Sequence, residues 1–331
     1  MKRLLHLVAV SGALIFLAAC STDSDWIWIA VDGAECRDGS PAGISIRPRA
    51  HASDLLIVLG GGPICTDAET CATSGAPLGD STRFHPSTDM FTDRPENPFM
   101  QWNQVWVPHC TDDYHVGSAR DVSVPGVPGV QQFVGHANMA LFLKHIRARF
   151  SGVKRVVLSG YSSGGQGVIA NFPQVRRAFG SETQMVLFID SGPPLPGSET
   201  RGILPAMLNL WGAGDTMLSE CGKSCGKPDD FFVDYFAWLV DTYGDDLDIA
   251  LSAFMEDPVE MREFGIDREE WATHLESVRK EVLEGSNGST FYHDSRAHTY
   301  VNSMYTITAE GLTVAGWLGL VLDNRPEHVG P

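Results

Sequence analysis

The chain has 331 residues, 43% of them hydrophobic, and its 41 acidic against 24 basic side chains give a formal charge of −17 at neutral pH. A chain this negative repels phosphate backbones and anionic lipid faces, so neither nucleic acid nor a bare anionic bilayer is an expected partner. The length suffices for one large α/β domain, and no repeat or low-complexity stretch divides it.

The first element reads as an export signal. Lys2 and Arg3 precede an apolar run from Leu4 to Ala19, and Cys20 follows. The run is shorter than the roughly 20 residues of a comfortable membrane span. Leu17-Ala18-Ala19-Cys20 resembles a bacterial lipobox, in which the Cys becomes the lipidated first residue. Residues 1–19 are therefore read as a signal peptide, Cys20 as a lipidation site and 20–25 as a tether. Ser21, not Asp, follows the Cys, which by resemblance to lipoprotein sorting favours the outer membrane of a bacterial envelope. Removing 1–19 takes away Lys2 and Arg3 and no acid, so −17 becomes −19.

Residues 26–331 read as one α/β-hydrolase-like domain. Strand-like runs fall at Trp26–Ala30, Ile44–Ile46, Leu55–Leu59, Val105–Val107, Val156–Leu158, Val186–Ile189 and Ile249–Phe254. Phe133–Phe150 and Asp267–Leu283 have helical patterns. Strands alternating with helices predict a mostly parallel sheet covered on both faces. Between Asp190 and Asp248 aromatics crowd at Trp211, Phe231, Phe232, Tyr235, Phe236 and Trp238. This predicts a helical cap at about 195–247, with the aromatics mainly as its core.

The chemistry concentrates in Val156-Val157-Leu158-Ser159-Gly160-Tyr161-Ser162-Ser163-Gly164-Gly165. A buried strand runs into Gly-x-Ser-x-Gly and then a helix pattern, the context of a nucleophile elbow. Ser162 is the predicted nucleophile, and the Ser163 N–H a predicted oxyanion donor. A second glycine run, Gly60-Gly61-Gly62-Pro63, follows the strand Leu55–Leu59. It lacks the Gly-Lys-Ser/Thr ending of a phosphate loop, so Gly61 and Gly62 are assigned to the oxyanion hole. The base should follow in chain order, with His298 ahead of His293. The acid is expected at Asp257, just past the strand Ile249–Phe254, with Asp190 and Glu256 as alternatives. His109, Asp112, Asp113 and His115 could hold a metal, but read better as a polar loop at the site mouth. No metal or other cofactor is called for. Six cysteines remain beside Cys20, an even number that suggests disulfides in an exported chain.

These residues together resemble the pectin acetylesterase family, which includes the animal esterase Notum. Gly61-Gly62-Pro63-Ile64-Cys65 with Cys71 resembles the family's Gly-Gly-x-x-Cys loop. Trp102-Asn103 and Val107 to Gly117 resemble its Asn…Pro-x-Cys-x-x-Asp stretch. Gly160 to Gly165 and Asp190-Ser191-Gly192 match its elbow and the strand end beyond, and Ser295–Tyr300 resembles its late histidine loop. The resemblance implies the pairs Cys36–Cys110 and Cys65–Cys71, leaving Cys221 with Cys225. It implies hydrolysis of small acyl esters, such as acetyl, on polysaccharide, with a broad carboxylesterase or lipase-like hydrolase of other acyl esters, lipid-like ones included, as the alternative. Pro63 departs from the family, which usually has an N–H there that joins the oxyanion hole. One lost donor would cost about 100- to 1000-fold in rate, so a catalytically weak glycan-binding surface protein is an alternative.

Overall fold

The computed structural model describes residues 25–73, 88–197, 202–225 and 231–331. The signal peptide, Cys20 and most of the tether lie outside the described residues.

A nine-stranded sheet forms the centre, in spatial order β1-β2-β4-β3-β7-β8-β9-β10-β13. β1 (Ile27–Glu35) and β2 (Pro41–Arg47) are antiparallel edge strands. From β4 (Asn103–Val107) through β3 (Asp54–Leu59), β7 (Arg155–Tyr161), β8 (Gln184–Asp190), β9 (Leu247–Glu256) and β10 (Gly288–Arg296) to β13 (His328–Val329), every neighbour is parallel. Two small ribbons complete the strands: β5 (Ala119–Val122) with β6 (Gln131–Phe133), and β11 (Thr308–Ala309) with β12 (Leu312–Thr313).

The continuous apolar runs are explained by two buried faces. Leu55, Ile57 and Leu59 point into one core, and Leu56 and Val58 into the other. Val156 and Leu158 alternate with Val157 in the same way. The larger core takes α2 (Gly135–Arg149), α3 (Ser163–Phe179) and α8 (Arg268–Ser277). The smaller takes α9 (Val314–Leu322), Trp102 and the single turn Asp89–Phe91. The short α1 (Ala68–Thr73) carries Cys71, and α7 (Pro258–Phe264) follows β9 directly.

Between β8 and β9 lie α4 (Ile203–Asn209), a π turn at Gly214–Leu218, the short α5 (Ser219–Cys221) and α6 (Phe231–Tyr243). Trp211, Phe231, Phe232, Tyr235 and Phe236 are all fully buried, so these aromatics are core, not a lining. The insertion rests on the loops after β3 and β4: the Trp211 indole donates to the Cys65 carbonyl at 2.9 Å, and its own carbonyl accepts from Ser118 N–H at 2.8 Å. Three disulfides join Cys36 to Cys110, Cys65 to Cys71 and Cys221 to Cys225.

Candidate active site

The strand order creates the site. β3 leads the chain outward to β4, whereas β7 leads it the other way to β8. Loops at the carboxyl ends of these two neighbours therefore diverge and leave a crevice, the usual ligand position in open parallel sheets. The loop after β3 is Gly60–Pro63, and the residue after β7 is Ser162.

Ser162 is the N-cap of α3 with φ 52° and ψ −131°, a conformation L-residues avoid. Packing imposes it. A Cβ at Gly164 would lie 2.2 Å from the Leu59 carbonyl oxygen, and one at Gly160 would lie 2.2 Å from the Gly164 oxygen. Only glycines let α3 approach the sheet this closely. The Ser162 N–H donates to the Asp190 carbonyl at 2.8 Å, pinning the turn to β8.

The other two side chains arrive from distant segments. Asp257 closes β9 and caps α7, its Oδ1 accepting from the N–H groups of Val259 (2.9 Å) and Glu260 (3.1 Å). Asp followed by Pro258 at the first helical position is a strong helix start, so the segment folds this way locally. His298 lies 2.8 Å from Asp257 through Nδ1 and 2.8 Å from Ser162 Oγ through Nε2. A carboxylate only accepts, so Nδ1 carries the imidazole proton. Nε2 is then the bare acceptor for the Ser162 hydroxyl. Asp257 is fully buried, while the His298 side chain keeps 24% of its surface exposed. The arrangement can take a proton from Ser162 and return it to a leaving group.

The alternatives are placed elsewhere. His293 Nδ1 pairs with Ser295 Oγ at 2.8 Å, and Glu256 with Arg296 at 2.9 Å. Asp190 is fully buried, and its Oδ2 accepts the Tyr300 N–H at 3.0 Å. Its backbone thus holds Ser162, and its side chain holds the loop bearing His298. Burial pushes its carboxyl up to about 7.

Gly61 packs on the elbow: a Cβ there would lie 2.5 Å from the Tyr161 carbonyl oxygen and 2.9 Å from Ser162 Cβ. The Gly61 N–H faces the Tyr161 hydroxyl. Ser163 opens α3, where the first amides have no intrahelical partner. The Ser163 hydroxyl donates to the Gly62 carbonyl and ties both parts together.

Three of the four polar residues after β4 are committed separately. Asp112 pairs with Arg37 at 2.7 Å, and Asp113 accepts from Gly135 N–H at 2.8 Å. His115 Nε2 lies 2.9 Å from the Gly60 carbonyl. His109 packs on Gly62, and burial pushes it down to about 4, and His115 to about 3. Among the described residues, no group of three or more His, Cys, Asp or Glu is arranged to hold a metal ion.

Three side chains beside the triad escaped the sequence reading: Gln166, Glu260 and Glu263. Gln166 lies in the first turn of α3, and both glutamates on α7. The available signal was two acids three residues apart, directly after a capping Asp.

A family model described as Pectinacetylesterase matches residues 21–202. That segment holds the glycine loop and Ser162; Asp257 and His298 lie beyond it, and folding alone brings them in. The chain is 29% identical over 150 residues to the palmitoleoyl-protein carboxylesterase NOTUM of Homo sapiens, covering 42% of this chain and 29% of that protein. It is 28% identical over 215 residues to the Drosophila melanogaster protein of that name, covering 57% and 31%. A Danio rerio relative described as inactive, notum1b, is 31% identical over 102 residues, covering 28% of this chain and 73% of that protein. The chain thus spans about a third or less of the length of the first two. The match to the family model, over more than half the sequence, places this chain in the pectinacetylesterase family.

Proposed function

We propose that this chain is a serine carboxylic-ester hydrolase that removes small acyl groups, acetyl above all, from carbohydrate hydroxyls. The observation that carries the reading is the unbroken Ser162–His298–Asp257 chain, at 2.8 Å for each link, above a strained elbow. Ser162 attacks the ester carbonyl as His298 takes its proton. The oxyanion is held by the Ser163 amide together with that of Gly61 or Gly62. His298 then protonates the leaving alcohol, and water attacks the acyl-enzyme by the reverse path. Family membership and the Notum likeness support ester hydrolysis.

A fluorophosphonate probe and a series of p-nitrophenyl esters from acetate to palmitate test this. Wild type should label and favour acetate, and Ser162→Ala should lose labelling and activity while melting at an unchanged temperature. A well-folded Ser162→Ala variant that keeps most of its activity would refute the serine mechanism. In the same reading the chain is exported and anchored to the bacterial envelope through lipid on Cys20. Incorporation of labelled palmitate by wild type, and its loss in Cys20→Ala, is the corresponding test.

A further inference from the structure

We propose that His115 is a positioning residue for the oxyanion loop: by holding the Gly60 carbonyl it fixes the Gly60–Gly61 peptide, so that the loop's amide reaches the oxyanion formed at Ser162. This rests on the serine ester hydrolase reading and adds to it a residue that touches no reacting atom.

The contact begins where the sheet stops. β3 ends at Leu59, and the Gly60 N–H still donates to the Val107 carbonyl on β4 at 2.9 Å. The Gly60 carbonyl lies past the end of the strand, and His115 Nε2 meets it at 2.9 Å. A carbonyl only accepts, so Nε2 carries the proton. Burial and the neighbouring His109 push the imidazole down to about 3, so it stays a neutral donor. In a trans peptide the N–H points opposite to the carbonyl before it. The Gly61 N–H is therefore turned away from His115, to the side where it faces the Tyr161 hydroxyl. A Cβ on Gly61 would lie 2.9 Å from Ser162 Cβ, so this peptide borders the elbow. Rotating it would move the Gly61 amide directly and the Gly62 amide through the next peptide.

Backbone strain is concentrated where this ring is presented. Asp112, Tyr114 and His115 have φ of 52°, 54° and 56°, the left-handed region that non-glycine residues avoid. Such strain persists only where the surroundings over-determine it, and it clusters at functional sites. Here the surroundings are explicit. The His115 N–H donates to Asp113 Oδ1 at 3.0 Å, and its carbonyl accepts from Asn171 Nδ2 at 2.8 Å. The buried ring lies between His109, with centroids 4.8 Å apart, and Gly167, where a Cβ would come within 3.0 Å of His115 Cδ2. Gly167 and Asn171 both belong to α3, the helix that Ser162 caps. One imidazole thus ties the glycine loop to the helix that carries the nucleophile.

The test compares 4-nitrophenyl acetate with its thionoester, whose sulfur replaces the carbonyl oxygen and accepts hydrogen bonds weakly. Wild type should favour the oxoester by about 100-fold beyond the ratio of the two in alkaline hydrolysis. In His115→Leu, oxoester kcat should fall about 10- to 100-fold with KM within about threefold, while the thionoester rate moves by no more than about threefold. His115→Gln brings an amide nitrogen to the place of Nε2 and should keep the oxoester preference within about threefold. His115→Asn, one methylene shorter, should lose it as Leu does. If the Leu variant does not fold, the Asn and Gln pair decides. A merely structural role would lower both rates together and leave their ratio untouched, which would overturn the proposal. So would a Gln variant that loses the preference or an Asn variant that keeps it. Fluorophosphonate labelling of wild-type Ser162 separates the two levels. A wild type that labels and hydrolyses, with a ratio that does not respond to His115, sinks the positioning role alone; one that neither labels nor hydrolyses either ester sinks the serine mechanism, and this role with it.

Discussion

Replacing Asp257 by Asn separates the catalytic duty we propose for this side chain from its structural one. Asp257 Oδ1 caps α7 through Val259 and Glu260, and Oδ2 faces His298 Nδ1 at 2.8 Å. Asn caps helices about as well as Asp, so its oxygen should take the Oδ1 position and keep both cap bonds. The flipped amide would set an N–H against two backbone N–H groups, leaving buried donors unpaired at about 1–3 kcal/mol each. With the oxygen fixed, the NH₂ group faces His298 Nδ1. Two donors cannot face each other, so the imidazole shifts its proton to Nε2 and can no longer accept from Ser162. Enforcing the wrong tautomer lowers kcat about 10⁴-fold, or about 5.5 kcal/mol. Stability should fall by no more than about 1 kcal/mol, from the lost charge at the helix start. Asp257→Ala should lose the cap as well, at about 1–2 kcal/mol. Acetyl-ester turnover and thermal melting, measured on the same preparations, read the two effects apart. An Asn variant within tenfold of wild-type kcat would refute the orientation argument, and so would one whose inactivity tracks a collapsed melting temperature.

Two further outcomes follow from the packing. Gly164→Ala puts a Cβ 2.2 Å from the Leu59 oxygen and 2.8 Å from the Gly60 oxygen, so α3 and the glycine loop must part by roughly 1 Å. Such a shift costs about 1–3 kcal/mol of stability and about 100-fold in rate. Gly214→Ala, where a Cβ meets nothing within 4 Å, should change neither. His109 is held down to about 4 by burial, against 6.5 unperturbed. The folded state therefore binds fewer protons than the unfolded one between these values, so its contribution is present above about pH 6.5 and is lost as pH falls toward 4. His109→Gln should lose about 2 kcal/mol less than wild type between pH 6.5 and 4.5 in urea titrations. Asp190 and Asp113, raised to about 7 and about 6, act in the opposite direction but are common to both proteins and cancel. Equal acid sensitivity would contradict a buried neutral His109.

What the sequence disclosed was what is encoded locally. The elbow was legible because strand, tight turn and helix are contiguous, and Asp257 because Asp-Pro after a strand both ends and starts an element. β10 was not. Its Ser289 and Thr290 look like turn residues, yet both are fully buried. Their hydroxyls are satisfied by Glu327 N–H at 3.1 Å and His328 Nδ1 at 3.0 Å, partners almost forty residues away. Nor was the burial of Gln166 and Glu260 legible. Two acids three apart on a charged helix look like a solvated face.

The glycine loop shows how a sequence-level defect can vanish in three dimensions. Pro63 lacks the N–H that the family pattern supplies, which on paper weakens the oxyanion hole. Every other anchor of the loop is in place. The Gly60 N–H donates to Val107 at 2.9 Å, the Cys65 N–H donates to Asp112 at 2.9 Å, and the Gly62 carbonyl accepts from the Ser163 hydroxyl. That last bond decides the matter. In a trans peptide the N–H of one residue points opposite to the carbonyl of the residue before it, and the described residues contain no cis bond. With the Gly62 carbonyl turned toward Ser163, an N–H at position 63 would point away from the elbow. Pro63 also lies exposed, so a larger side chain meets no core. Pro63→Trp should therefore leave kcat on an acetyl ester within about threefold of wild type. Its melting temperature should fall modestly, because a freer unfolded chain costs up to about 1 kcal/mol. A rise of 100-fold or more would show that a donor had been missing, and that the loop turns its peptide when the proline is removed.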